Sequence, residues 1–195
     1  MIRKLHHNAW RCQDSERTRD FYEDFLGLPL VETLLIEQSK TGRATNTLHT
    51  FYRLDDGSHL AFFEAPDLPF EFKAQHDFDL HIALEVEPAV LPQMLQKGQA
   101  AGIETRGVSN HGFIDSIYFR DPNGYVIELC TPRADHDAAM DPARNGAREI
   151  LQRHERVAHL HPRERPALRH VRRHDAAAPA APHVPEEGVC VVRLA

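Results

Sequence analysis

Residues 5–32, LHHNAWRCQDSERTRDFYEDFLGLPLVE, and residues 80–107, LHIALEVEPAVLPQMLQKGQAAGIETRG, follow one plan. Each opens on an apolar-leaning strand carrying a histidine, passes into a helix, stops at a glycine and starts a second strand. In the first copy Asp14 or Ser15 caps a helix that buries Phe21, Tyr22, Phe25 and Leu26, and Gly27 ends it. In the second, Val90, Met94 and Leu95 mark the helix and Gly102 the stop. His7 precedes Gly27 by 20 residues, and His81 precedes Gly102 by 21. The later halves correspond too: LDDGSHLAFFEAP (54–66) and RDPNGYVIELCTP (120–132) are each an acidic turn, a glycine and an apolar strand ending at proline. A self-similar period of this kind narrows the accessible folds before any composition is considered.

Each unit reads β-α-β-β-β, with module one at about 4–66 and module two at about 79–131 of a domain spanning 1–131. The expected fold class is α+β: two βαβββ modules forming a U-shaped mixed sheet around a central cavity, with the helices outside. Composition changes near residue 131. The segment DPARNGAREILQRHERVAHL (141–160) is expected to form an exposed helix from Asp141, with Pro142 in its first turn, inside a helical extension over 132–160. Residues 161–195 are rich in Pro, Ala, Arg and His and have little to bury, so a disordered low-complexity tail is expected there.

Residues 1–130 carry 12 Lys+Arg against 20 Asp+Glu, which excludes nucleic acid as the main partner because phosphate binding needs a basic surface. No apolar run long enough to span a bilayer and no charged-then-apolar leader is present, so no membrane partner and a cytoplasmic location are expected. Cys12, Cys130 and Cys190 lack CxxC spacing, against a disulfide or zinc framework.

The duplication places His7 and His81 at one equivalent position, in the first strand of each module. Glu128 lies four residues after Gly124 in the last strand of module two, and its counterpart four residues after Gly57 is Ala61. The pseudo-symmetric site therefore holds His7, His81 and Glu128, with a methyl group where a fourth ligand would stand. Two imidazoles and one carboxylate leave other positions open, which suits non-haem Fe(II) or, as the neighbouring choice, Mn(II). A closed structural zinc site would use four ligands. Glu128 sits between Ile127 and Leu129, so alternation turns it away from their packing, and a buried carboxylate needs a cation or donors. His6 competes with His7, but adjacent strand residues face opposite ways and the repeat register favours His7.

The stretches HHNAWRCQDSERTRDFYEDFLGL, DLHIALEVE and FRDPNGYVIEL resemble the vicinal oxygen chelate superfamily, which includes glyoxalase I, fosfomycin-resistance proteins, bleomycin-resistance proteins and type I extradiol dioxygenases, over about residues 4–131. HGFIDSIYFRDPNGYVIE (111–128) is most similar to the extradiol ring-cleavage signature, which His111, Ile117, Tyr118, Asp121, Pro122, Gly124 and Glu128 fill, with Ser109 departing from it. The resemblance implies an Fe(II)-dependent dioxygenase, an oxidoreductase that takes a catecholic aromatic and O2. It implies Tyr118 bonding to substrate oxygen, His111 steadying bound oxygen or contacting substrate, and His59 as the acid–base group. A homodimer is expected by the same analogy.

Three other readings share this fold. A glyoxalase-like lyase or isomerase would want a glutamate where Ala61 stands, with Glu64 on the other strand face as its substitute. A thiol transferase of the fosfomycin type also uses two histidines and a glutamate, with a tyrosine ten residues before it, as Tyr118 stands to Glu128. A non-catalytic ligand-binding resistance protein would need no metal. The Phe-rich connector 64–79 offers Phe70 or Phe72 as a lid or as core, and His49, in LHTFYRL (48–54), is a further pocket residue.

Overall fold

The computed structural model describes residues 1–39, 41–74, 76, 78–160 and 189–192. Two copies of one strand plan build it. Module one contains β1 (Trp10–Cys12), α1 (Ser15–Arg19, continuing as a π-helical turn over Asp20–Phe25), β2 (Leu30–Ser39), β3 (Ala44–Arg53) and β4 (His59–Glu64). Module two contains β5 (His81–Glu85), α2 (Val90–Ala100), β6 (Thr105–Asn110), β7 (Ile114–Arg120) and β8 (Val126–Pro132). The strand orders are β1-β4-β3-β2 and β5-β8-β7-β6, and in both sheets the first strand lies parallel to the last. The βαβββ duplication and the α+β class therefore hold, each module keeping its own mixed sheet.

Local chemistry explains the helix ends. Asp14 caps α1 by accepting from the Arg17 backbone N at 2.9 Å. Leu26 N donates to Phe21 O, the wide turn that lets Phe21, Tyr22 and Phe25 all reach the core. Gly27, at φ +83°, then reverses the chain. The core joins both modules: Tyr22, Tyr52, Leu60 and Phe62 of module one and Ile117, Phe119 and Ile127 of module two are essentially sealed from solvent.

The two acidic turns are built alike. Gly57 N donates to Leu54 O and Leu54 N to Ser58 O; Gly124 N donates to Asp121 O and Asp121 N to Tyr125 O. Both glycines have positive φ, +75° and +94°, the arrangement of a turn closed by a left-handed residue. The second turn is no wet loop. Asp121 is 2% exposed and Asn123 1%. The Asp121 carboxylate accepts from the backbone N of Asn123 and Tyr125 and from the Tyr22 hydroxyl, and Asn123 ties back to Thr18 and to the Gln13 backbone. Module one's helix is thereby bolted to the β7–β8 hairpin. Burial holds the Asp121 carboxyl above the usual carboxylate range, against the pull of its hydrogen bonds.

The described residues divide into two compact units, one holding 1–109, 116–131 and 189–192 and the other 110–115 and 132–160. In that second unit α3 (His136–Met140) precedes α4 (Ala147–Leu160). The helix expected from Asp141 begins six residues later. Gly146 at φ +61° breaks the chain, and the Asn145 side chain caps Ala147 N, while Asp141 closes a separate turn. The expectation for residues 161–195 falls outside the described residues except at β9 (Val189–Val192), which pairs antiparallel with β2. Among the described residues no helix is long and apolar enough to cross a membrane.

Candidate metal centre

Strand alternation sorts the side chains of module two. Ile117, Phe119, Ile127 and Leu129 face the core, so Tyr118 and Glu128 turn to the opposite face. β5 lies parallel to β8 with His81 opposite Val126 and Ala83 opposite Glu128, which sets His81 diagonally beside the glutamate. The result is a close group: His81 Nε2 is 3.1 Å from Glu128 Oε2, and the Tyr118 hydroxyl donates to Glu128 Oε1 at 3.2 Å. Glu128 is 3% exposed, whereas the His81 side chain is 39% exposed. Burial, then the Glu128 charge, raise the Tyr118 hydroxyl above the ordinary tyrosine value, so it stays a donor at neutral pH. The Arg106 guanidinium lies 5.3 Å over the Tyr118 ring.

The other histidines gather on the sheet of module one. His7 bridges His59 in parallel, in the same register that pairs Trp10 with Phe62. That register puts Ala61 where Glu128 stands in module two, and Ala61 is fully buried. The His7 ring meets Phe51 at 5.5 Å and His49 at 6.2 Å. His49 is buried, stacks on Phe63 at 3.6 Å and is held to Phe62 O at 3.0 Å. His59 Nδ1 lies 3.2 Å from the His6 carbonyl oxygen, so Nδ1 carries the proton and Nε2 is the basic nitrogen. Desolvation, followed by the His6 and His59 charges, lowers the His7 pKa.

The structure thus brings His81, Glu128 and Tyr118 together on one sheet and His7 and His59 together on the other. It does not bring the two sets to one point: among the described residues no three His, Cys, Asp or Glu side chains are grouped to hold a metal ion. His111 belongs to the second compact unit. It is exposed in the β6–β7 turn, where its backbone N donates to Ile114 O. Glu64 has a structural task, accepting from Ser15 N at the start of α1 at 2.7 Å. Phe72 is exposed, and the connector docks instead through Lys73 N, which donates to Asn123 O in the buried turn. A cleft of about 730 Å³ between the modules is lined by Leu54, Leu60, Ile82, Leu84 and the acidic Asp55 and Glu85 among others, and by none of the candidate residues.

The donor set still fits a divalent cation. Two donor atoms 3.1 Å apart, one on a buried carboxylate, can share one ion at bonds of about 2.1 Å. Of the three residues expected to hold it, His81 and Glu128 stand together and His7 lies on the other sheet. His6 is the residue that sequence reasoning set aside. Strict alternation would turn it from His7, yet β1 begins only at Trp10, and off the regular ladder the two Nδ1 atoms lie 2.8 Å apart. Arg106 was missed as well; β6, TRGVSN, has Val108 as its single large apolar residue and carries no alternation that marks one face.

No curated protein matches the chain in sequence. Among solved structures it is similar to a glyoxalase/bleomycin resistance protein/dioxygenase domain from Frankia sp., at 17% identity and TM-score 0.55, covering 68% of this chain and 100% of that one. It is also similar to a glyoxalase/dioxygenase from Nostoc punctiforme, at 24% identity and TM-score 0.53, covering 67% and 92%. A third is the fosfomycin resistance protein FosX of Listeria monocytogenes, complexed with Mn(II) and sulfate, at 18% identity and TM-score 0.52, covering 70% and 98%. At these identities the likeness is one of fold. A family model, Glyoxalase/Bleomycin resistance protein/Dioxygenase superfamily, matches residues 4–129, so the chain belongs to that superfamily.

Proposed function

We propose that this protein is a homodimeric, divalent-metal-dependent dioxygenase of the extradiol type, cleaving the ring of a catecholic aromatic with O2. His81 and Glu128 of one copy would hold the ion together with His7 of a second copy. The observation that carries this is the separation of donors: a preformed His81–Glu128 pair on one sheet and His7 on the other. A twofold dimer makes two identical centres from two such halves.

Bound there, Fe(II) supplies the redox chemistry that couples dioxygen to a ring diol. Both oxygen atoms enter the ring-opened product, so the reaction needs no external reductant. The chain's own groups do the rest. Tyr118 keeps Glu128 oriented through its hydroxyl and can pass that hydrogen bond to a substrate oxygen. His59, with Nδ1 committed to the His6 carbonyl, presents Nε2 to take the proton a substrate hydroxyl must lose. It lies on the same face as His7, so one copy would deliver both. Phe51 and the stacked His49–Phe63 pair on that face suit a planar ring.

The test is complementation. His7→Ala and Glu128→Ala should each abolish catechol cleavage in Fe(II)-loaded protein, and unfolding and refolding the two together should restore about one quarter of wild-type activity, because half the dimers are mixed and each mixed dimer has one intact centre. No restoration would place all three ligands in one chain. A second reading rests on Arg106, whose cation over Tyr118 suits an anionic substrate, as in a thiol transferase or a glyoxalase-like lyase or isomerase. Mn(II)-loaded protein that consumes glutathione with an anionic electrophile, and leaves a panel of catechols untouched under air, would move the assignment there.

A further inference from the structure

We infer that His6 is a positioning residue that holds His7 in its metal-ligating tautomer, with Nδ1 protonated and Nε2 bare. The inference rests on the proposed role of His7 as a ligand. The two Nδ1 atoms are 2.8 Å apart, which is a hydrogen bond, so one of them is the donor. If His6 donated, the lone pair on His7 Nδ1 would be consumed and His7 Nε2 would carry the hydrogen, leaving His7 no nitrogen for an ion. If His7 donates, its Nε2 lone pair is free. Only the second arrangement is compatible with ligation.

The usual partner of a ligating histidine is a carboxylate or a backbone carbonyl. Here the carbonyl of the adjacent His6 is already engaged twice, by the His59 backbone N at 3.0 Å and by His59 Nδ1 at 3.2 Å. Those two contacts clamp the His6 backbone, and its ring, 5.8 Å from that of His59, is left to accept from His7. Phe51 closes another side of the His7 ring with an edge contact. The adjacent pair therefore divides the labour, one imidazole for the ion and one to orient it.

The test uses the full chain. In metal-free wild type, long-range nitrogen–proton NMR of the imidazoles should show His7 protonated on Nδ1. His6→Phe should shift His7 toward the Nε2-protonated form or a mixture, and His6→Asn, whose amide oxygen accepts at the same place, should keep the wild-type tautomer. In Mn(II) titrations read by the EPR signal of the free ion, His6→Phe should weaken binding about 10–100-fold and His6→Asn by less than about threefold. An unchanged His7 tautomer in His6→Phe would overturn the inference, as would an equal loss of affinity in both variants, since His6 would then hold the ion itself. His7→Ala separates the two levels: if it leaves Mn(II) affinity unchanged, the three-ligand centre fails whatever the NMR shows.

Discussion

Gly124 closes the turn that joins Tyr118 on β7 to Glu128 on β8, and Gly124→Ala tests how firmly that turn is built. The glycine has φ +94°, and a Cβ there would lie 2.6 Å from Lys73 N, 2.8 Å from Lys73 O and 2.9 Å from Lys73 C. All three are backbone atoms, so the connector itself must move. The left-handed conformation costs an alanine about 1 kcal/mol. Forcing a methyl into packed backbone adds about 1–3 kcal/mol. Displacing Lys73 breaks its N–H bond to Asn123 O, at 2.8 Å, for about 1 kcal/mol more. The expected loss is about 3–5 kcal/mol in urea unfolding at constant slope. Gly102→Ala is the control, because Gly102 has φ +67° with no atom within 4 Å of the added Cβ, so only the conformational cost of about 1 kcal/mol remains. Equal losses in the two variants would show that the connector does not press on the turn and would refute the packing account.

Three further outcomes follow from the buried groups. Tyr22→Phe removes the hydroxyl that donates to Asp121 and should cost about 1.5–3 kcal/mol in the same urea assay, the range for a hydrogen bond to a charged group; a loss below about 0.5 kcal/mol would mean the bond is not made. Because burial raises the Asp121 pKa in the folded state, its contribution is complete below the unfolded carboxylate value of about 4 and is lost as pH rises through the folded value, so Asp121→Asn should gain on wild type as pH rises above about 4. A wild-type-minus-variant Tm difference that does not change with pH would contradict this. Glu128→Gln keeps the shape and removes the charge, and Mn(II) affinity should fall at least about tenfold by titration; unchanged affinity would take Glu128 out of the centre.

Much of the fold was legible because duplication writes the same physics twice. The glycines at 57 and 124, with their matching turn bonds, set the registers that pair His7 with His59 and Ala83 with Glu128. The alternation around Glu128 correctly turned its carboxylate from the core side of β8. Other features depend on contacts that no local pattern carries. The Asp-Pro-Asn-Gly turn reads as a polar loop, and its burial comes from Tyr22 and Thr18, about a hundred residues earlier in the chain. His6 escaped because alternation was applied to residues that precede the regular part of β1. A repeat also makes His7 and His81 equivalent without saying whether the halves that meet belong to one chain or to two, since equivalence is a property of modules and convergence one of their docking.

The asymmetry between Ala61 and Glu128 offers a last test of that docking. Ala61 is fully buried, opposite Phe51, with its backbone N bonded to the Asn8 side-chain oxygen at 3.0 Å. In the register of β1 and β4 it holds the place that Glu128 holds beside β5. If both modules line one centre, Ala61→Glu adds a carboxylate to the ion's surroundings. In metal-free protein the added side chain should destabilise by about 2 kcal/mol or more, from overpacking and from burying an unpaired polar group. With Mn(II) the variant should recover more stability than wild type gains, because a tighter ion is worth RT ln(1 + [M]/Kd), about 2.7 kcal/mol at a hundredfold excess over Kd. The comparison needs four thermal melts, each chain with chelator and with Mn(II). If Mn(II) shifts the two chains equally, position 61 does not face the ion, and the second copy's sheet cannot be lending His7 to the His81–Glu128 pair from the face on which Ala61 lies.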